Sequence, residues 1–236
     1  FRRVLFRSGD DPRAGEFRAA GDALFAGLEA GDLAQIREGL RLTAELQERY
    51  GAEVMPSDLQ ISSELFLNSW HPFAKSTLPY MAAFVLLIFD YFWGLFRRNG
   101  EPWSWRSPLF TVGMLLYIAA FALHLYGFVL RWIASGRAPL SNGHESLLWV
   151  ALSVALIALI FEMISKSAAA GALGSLLSAV VLGVSMMAAF DPAIGPLVPV
   201  LASYWLNIHV TVITASYGFL GLCCLLGGLT LVLLII

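Results

Sequence analysis

Five apolar runs dominate the chain from Pro79 to Ile236, at roughly 79–96, 108–130, 145–164, 171–190 and 206–236. About 20 consecutive apolar residues cross the hydrocarbon core of a bilayer as a helix, and each run is near or above that length. The last is long enough to tilt or to project beyond the lipid. The predicted fold class is all-α: a polytopic membrane helical bundle, with a five-span membrane domain over 79–236.

Composition agrees. Charged residues make up 14% of the chain and mean hydropathy is +0.72, against roughly 25% charged in soluble domains. Residues 1–78 hold nine of the fifteen Lys/Arg and twelve of the seventeen Asp/Glu. A polar N-terminal segment therefore precedes the membrane domain. A net charge of −2 offers no broad basic surface, so nucleic acid is not an expected partner. Cys223 and Cys224 are adjacent and fit neither metal-ligand nor redox spacing; they read as small residues in helix packing.

Residues 1–59 read as an amphipathic helical hairpin, with its two helices within 12–50. Phe17, Leu24, Phe25 and Leu28 share one face of the first helix, and Leu33, Ile36, Leu40 and Leu46 one face of the second. Gly31 stops the first and Asp32 can cap the second. No second copy follows at a 34-residue period, so a solenoid is unsupported. Residues 60–78 read as a juxtamembrane connector. FRRVLFRSGDD lacks the apolar core of a signal peptide, and LTLVLLII stops inside a span; both ends read as those of a fragment.

Loop charges assign an orientation. Loops 97–107 and 165–170 carry Arg97, Arg98, Arg106 and Lys166; loops 131–144 and 191–205 carry only Arg131 and Arg137. The positive-inside rule puts the first pair in the cytoplasm. The N-terminal segment and the start of the last span then face outside, with Trp70, Trp132, Trp149, Tyr204 and Trp205 near the outer boundary as an aromatic belt.

The candidate chemistry lies in four histidines: His71, His124, His144 and His209. No serine elbow, phosphate loop or paired-cysteine zinc site accompanies them. His209 stands about one turn inside the last span, with Trp205 four residues before it and Ile213 four after. An imidazole between an aromatic and aliphatic carbons suits a flat apolar cofactor such as haem; the competing reading is an interfacial histidine bonded to a carbonyl or to headgroup water. His124 lies deep in the second span, where an ionisable residue is by default functional, or else a packing histidine between helices. Ser141, Asn142 and Gly143 can turn and cap the third span. Glu145 fits the positive end of that helix dipole. His71 reads as solvated.

Two segments resemble one family. Arg131–Trp149 (RWIASGRAPLSNGHESLLW) and Leu197–Gly218 (LVPVLASYWLNIHVTVITASYG) resemble the core of CcsA/ResC-type cytochrome c biogenesis proteins, the system II haem delivery and attachment machinery. SSELFLNSWHPFAKSTLPY, residues 62–80, resembles the stretch before the first span in longer members. The resemblance covers about residues 60–236. It implies a multi-pass protein of the bacterial cytoplasmic (inner) membrane that brings haem b to the outer face. There it supports thioether attachment to the CxxCH motif of apocytochrome c, with a CcsB/ResB-type partner, separate or fused. His209 matches the first of two outer axial ligands, and His124 is a membrane haem ligand candidate. Trp205 would pack on the haem, while Arg131 and Arg137 could pair with its propionates. The tryptophan-rich WWD domain and the second outer histidine would follow Ile236; Trp103-Ser104-Trp105 is not that motif. His144 stands where relatives usually have tyrosine, so no ligand role passes to it.

Two other classes compete: a small-molecule or ion permease core, with midplane polar residues and broken helices, and a non-catalytic membrane scaffold that docks through the hairpin.

Overall fold

The computed structural model describes residues 12–51, 55–96, 107–187, 191–195 and 203–235. Arg97, Arg98, Trp103, Trp105 and Arg106 lie outside the described residues. The described chain divides into two compact units, one up to Ser57 and one from Asp58.

The first unit is a hairpin of α1 (Pro12–Ala30) and α2 (Leu33–Gly51). Gly31 turns the chain at φ 65°, and the Asp32 carboxylate accepts the Ala34 N–H at 2.8 Å, a capping contact that a side-chain oxygen supplies to a free helix-end N–H. The helices touch backbone to backbone. A Cβ on Gly27 would meet Ile36 N at 2.8 Å, and one on Gly39 would meet Leu24 Cα at 2.7 Å. So close a seam has room for Ala20 and Leu46, which are buried. It excludes Phe25, Leu28, Leu33 and Leu40, which are exposed although their spacing placed them on the packed faces. On α2, Arg41 reaches Glu38 at 2.6 Å and Glu45 at 2.5 Å. Its hydrogen bond holds the Glu38 carboxyl below the usual range.

The second unit holds α3 (Asp58–Trp70), α4 (Pro72–Phe96), α5 (Pro108–Ser135), α6 (Gly143–Ser165), α7 (Ala169–Ser185) and α8 (Tyr204–Ile235). Residues 60–78, read as a connector, are almost entirely helical. His71 alone breaks α3 from α4, at φ 50°, because the residue before a proline is pushed out of the α region and histidine is among the residues that tolerate the left-handed one. Pro72 then opens α4, where a missing N–H costs nothing, and Pro79 lies inside the helix rather than at its start.

Among the described residues, α4, α5, α6 and α8 are long and apolar enough to cross a membrane. The fourth run forms a helix of 17 residues, α7, about 25 Å long at 1.5 Å per residue; residues 188–190 of that run lie outside the described residues. Its sequence is rich in Ala, Gly and Ser, and most of it is buried. It packs between α4 and α6, while α5 flanks α4 and α8 flanks α6. Small residues permit this closeness: a Cβ on Gly174 would stand 2.1 Å from Ala158 Cβ. With lipid on the outside, such packing and interhelical hydrogen bonds replace the hydrophobic drive between helices. The bonds present include Tyr117 Oη to the Ala155 carbonyl at 2.7 Å and Ser178 Oγ to the Ala151 carbonyl at 3.1 Å.

Helix ends are closed locally. Ser107 caps α5 by accepting the Phe110 N–H at 3.1 Å and donates to the buried Asp90 at the end of α4. Gly136 closes α5 at φ 65°. Asn142 Oδ1 caps α6 by accepting the Glu145 N–H at 2.8 Å. The α7 start has no cap of its own, and the Glu162 carboxylate supplies one, accepting Ala168 N–H at 2.6 Å and Gly171 N–H at 2.9 Å.

Candidate functional site at the loop end of the bundle

Side-chain contacts gather five helix ends at one end of the bundle. Arg131 near the end of α5 meets Glu145 at the start of α6. His144, beside it, reaches Ser185 at the end of α7. Phe73 at the start of α4 packs against both His124 and His144. Trp149 Nε1, one turn into α6, donates to the Thr211 carbonyl at 3.0 Å and so holds the start of α8 there.

The centre of this end is a hydrogen-bonded polar cluster. Arg131 and Glu145 are buried, with Nη2 to Oε1 at 3.0 Å and Nε to Oε1 at 3.1 Å. Glu145 Oε2 accepts the Ser141 N–H at 2.8 Å and its hydroxyl at 2.7 Å. Arg131 Nη2 also donates to the Pro192 carbonyl at 2.9 Å. Paired and fully hydrogen-bonded, two charges can stand inside a protein; singly they cannot. Arg137 ties the same loops together, donating to Ser141 Oγ at 3.0 Å and to the Gly195 carbonyl at 2.8 Å, while its buried Nε has no partner. Glu145, expected as a dipole partner, thus also anchors Arg131.

Beside the cluster opens a cavity of about 710 Å³, within the usual size of small-molecule sites. Arg131, His144, Phe73, His71, Met186 and Met187 are among its lining residues. His144 Nδ1 lies 2.8 Å from the Ser185 carbonyl. A carbonyl only accepts, so Nδ1 carries the proton and the neutral ring keeps its lone pair on Nε2. His71 is exposed at the rim, its Nδ1 3.2 Å from the Ser69 carbonyl.

His124 lies below, behind Phe73. It is one face of α5 with Tyr117 and Arg131, at seven-residue steps, and two turns below Arg131, about 10 Å along the axis. The ring is fully enclosed and meets Phe73 and Tyr80 edge-on, at centroid distances of 5.8 and 6.2 Å. The Leu148 carbonyl lies close enough to act on it, but outside hydrogen-bond geometry, and neither ring nitrogen has a partner; nor has the Tyr80 hydroxyl.

His209 is at the same end of the bundle but outside the cluster. Both it and Trp205 are exposed, Trp205 to 76%, on a face with Val212 and Ile213 that is turned away from α6. The structure therefore groups Arg131, Arg137 and His144, sets His124 beneath them, and leaves His209 and Trp205 on the α8 surface. Sequence reasoning named His144 without giving it a ligand role and passed over Asp90 and Glu162. The acidic pair carried a usable signal, since an ionisable residue within an apolar run is rarely idle.

Residues 140–235, from the loop before α6 through α8, match the Cytochrome C assembly protein family. Protein NrfI of Wolinella succinogenes is 37% identical over 199 residues, 84% of this chain and 21% of that protein. The cytochrome c biogenesis protein CcsA of Crocosphaera subtropica is 35% identical over 122 residues, 50% of this chain and 35% of that protein. CcsA of Chlorella vulgaris is 35% identical over 133 residues, 54% of this chain and 41% of that protein. The chain spans about a fifth of the length of NrfI and about two-fifths or less of these CcsA proteins. Across α6–α8 this all-α membrane bundle is similar to the cytochrome c assembly family, and its relatives include CcsA-type cytochrome c biogenesis proteins.

Proposed function

We propose that this chain is the haem-handling membrane part of a cytochrome c maturation protein, which brings haem b to the outer face of the bacterial cytoplasmic membrane. There it supports thioether attachment to apocytochrome c, together with a CcsB/ResB-type partner. His124 carries this reading. A fully enclosed histidine with two unanswered ring nitrogens is costly inside a membrane span unless something uses it, and imidazole is a usual axial ligand of haem iron.

His209 is the second ligand candidate. On the exposed face of α8, with Trp205 one turn before it, it offers an imidazole beside an aromatic edge to a flat apolar macrocycle. Arg137, with a buried Nε–H still free, is the better placed propionate partner; Arg131 would first have to leave Glu145. In the attachment step each cysteine thiol adds across a vinyl group: sulfur takes one carbon and the proton ends on the other. The protein's share is position and exclusion of water.

Absorbance of the reduced, detergent-purified protein tests this. Loss of the haem bands in His124→Gly or His209→Gly, with return on added imidazole, is the expected result. Bands unchanged in both variants would overturn the ligand assignment.

A further inference from the structure

We propose that the cavity above Phe73 is a separate haem site, with His144 Nε2 as an axial donor to the iron. The inference rests on the haem-handling reading and adds to it a site on a residue to which that reading gives no role.

The donor is already prepared. Nδ1–H of His144 is committed to the Ser185 carbonyl at 2.8 Å, which fixes the tautomer and leaves the lone pair on Nε2. Ligating histidines almost always carry such a second contact, which orients the ring and raises its basicity. Ser185 is the last residue of α7, so its carbonyl is one of those a helix end leaves without an internal partner, at the negative end of the helix dipole. That end strengthens the pull on the ring proton. Phe73 meets the ring edge-on, at 6.4 Å between centroids and 85° between planes.

The surroundings suit an iron macrocycle. Leu67, Phe73 and Ala74 supply apolar wall, and Met186 and Met187 line the same space. Methionine with histidine is an established axial pair for haem. Arg131, paired with Glu145, and Asp191 give the cavity its polar border.

The test is a haemin titration of the detergent-purified chain carrying both His124→Gly and His209→Gly, followed by the Soret band. This background is expected to bind haem saturably with imidazole-ligated spectra. Adding His144→Gly is expected to weaken binding by more than about 100-fold, beyond the 10- to 100-fold that loss of a supporting partner alone brings, and free imidazole is expected to restore the band. His144→Gln keeps a donor for the Ser185 carbonyl while removing the imidazole lone pair; it should lose the band with an unchanged elution profile. A background that binds no haem, or a band indifferent to both His144 variants, overturns the proposal. The single His124 and His209 variants judge the other ligand assignment separately, because their bands are compared with the unsubstituted chain.

Discussion

The Arg131 guanidinium meets the Glu145 carboxylate at 3.0 Å with 2% and 0% of the two side chains exposed. The pair joins two helices that otherwise touch sparingly, since α5 packs chiefly on α4 and α6 chiefly on α7. It also forms part of the cavity wall and, through Pro192 and Ser141, fixes two loops over that end of the bundle. A clamp built from charge holds its register only while both members are present.

Glu145→Gln is therefore expected to cost about 3–5 kcal/mol, the usual result of leaving one buried charge uncompensated. Arg131→Met together with Glu145→Leu should cost less than the sum of the two single changes, with a coupling of about 0.5–3 kcal/mol. Unfolding titrations of the purified protein in detergent measure all four states. Additive losses would mean that the pair does not act as a unit.

Packing of α7 gives a second expectation. A Cβ on Gly174 would stand 2.1 Å from Ala158 Cβ and 3.0 Å from Tyr117 Oη. Gly174→Ala must push α6 and α7 apart, at a cost of about 1–3 kcal/mol typical of an overfilled core. Ala158→Gly in the same chain removes the facing methyl and should recover most of that loss. A double variant no more stable than Gly174→Ala would place the strain elsewhere.

Bilayer-length apolar runs made the bundle legible, and the Asn142 cap could be read from its turn residues. What escaped depended on atoms distant in the chain. The hairpin faces were misjudged at Phe25 and Leu40 because periodicity cannot show that Gly27 and Gly39 bring two backbones together. Helix α3 lies within the stretch read as a connector, between Pro56 and Pro72. The environment of His144 was hidden because its partner, Ser185, lies 41 residues later. His124 and His209 were visible as histidines in apolar runs, but only the fold separates an enclosed ring from one on an open helix face.

A third expectation concerns the seating of α8. Trp149 Nε1–H on the Thr211 carbonyl links the start of α8 to α6 at 3.0 Å. Trp149→Phe keeps most of the ring volume and removes the donor, so a loss of about 0.5–1.5 kcal/mol is expected. Hydrogen exchange should quicken in the first turns of α8 before it does in α7. If His209 needs α8 in this register, the variant should also weaken haem retention; unchanged exchange across α8 would count against the link.

Glu162 provides the last test, because one residue both ends α6 and begins α7. Its backbone carbonyl accepts the Lys166 N–H at 2.8 Å, with Lys166 in the left-handed conformation that closes the helix. Its side chain, fully buried, accepts the Ala168 and Gly171 N–H groups, one on each oxygen. Ala168 is itself left-handed, at φ 63°, and has no side chain able to cap α7. Glu162→Gln offers a single acceptor and turns an amide N–H toward the second donor. One buried group is then unsatisfied, at about 1–3 kcal/mol, and the favourable interaction of a carboxylate with the helix dipole is lost. Glu162→Asp keeps the chemistry but is one methylene too short to reach both amides. Both variants are expected to speed exchange of the amides at 168–172, with Gln the more damaging, while α6 before Glu162 stays protected. Equal protection of the α7 start in Glu162→Gln and the unsubstituted protein would show that α7 does not depend on this carboxylate.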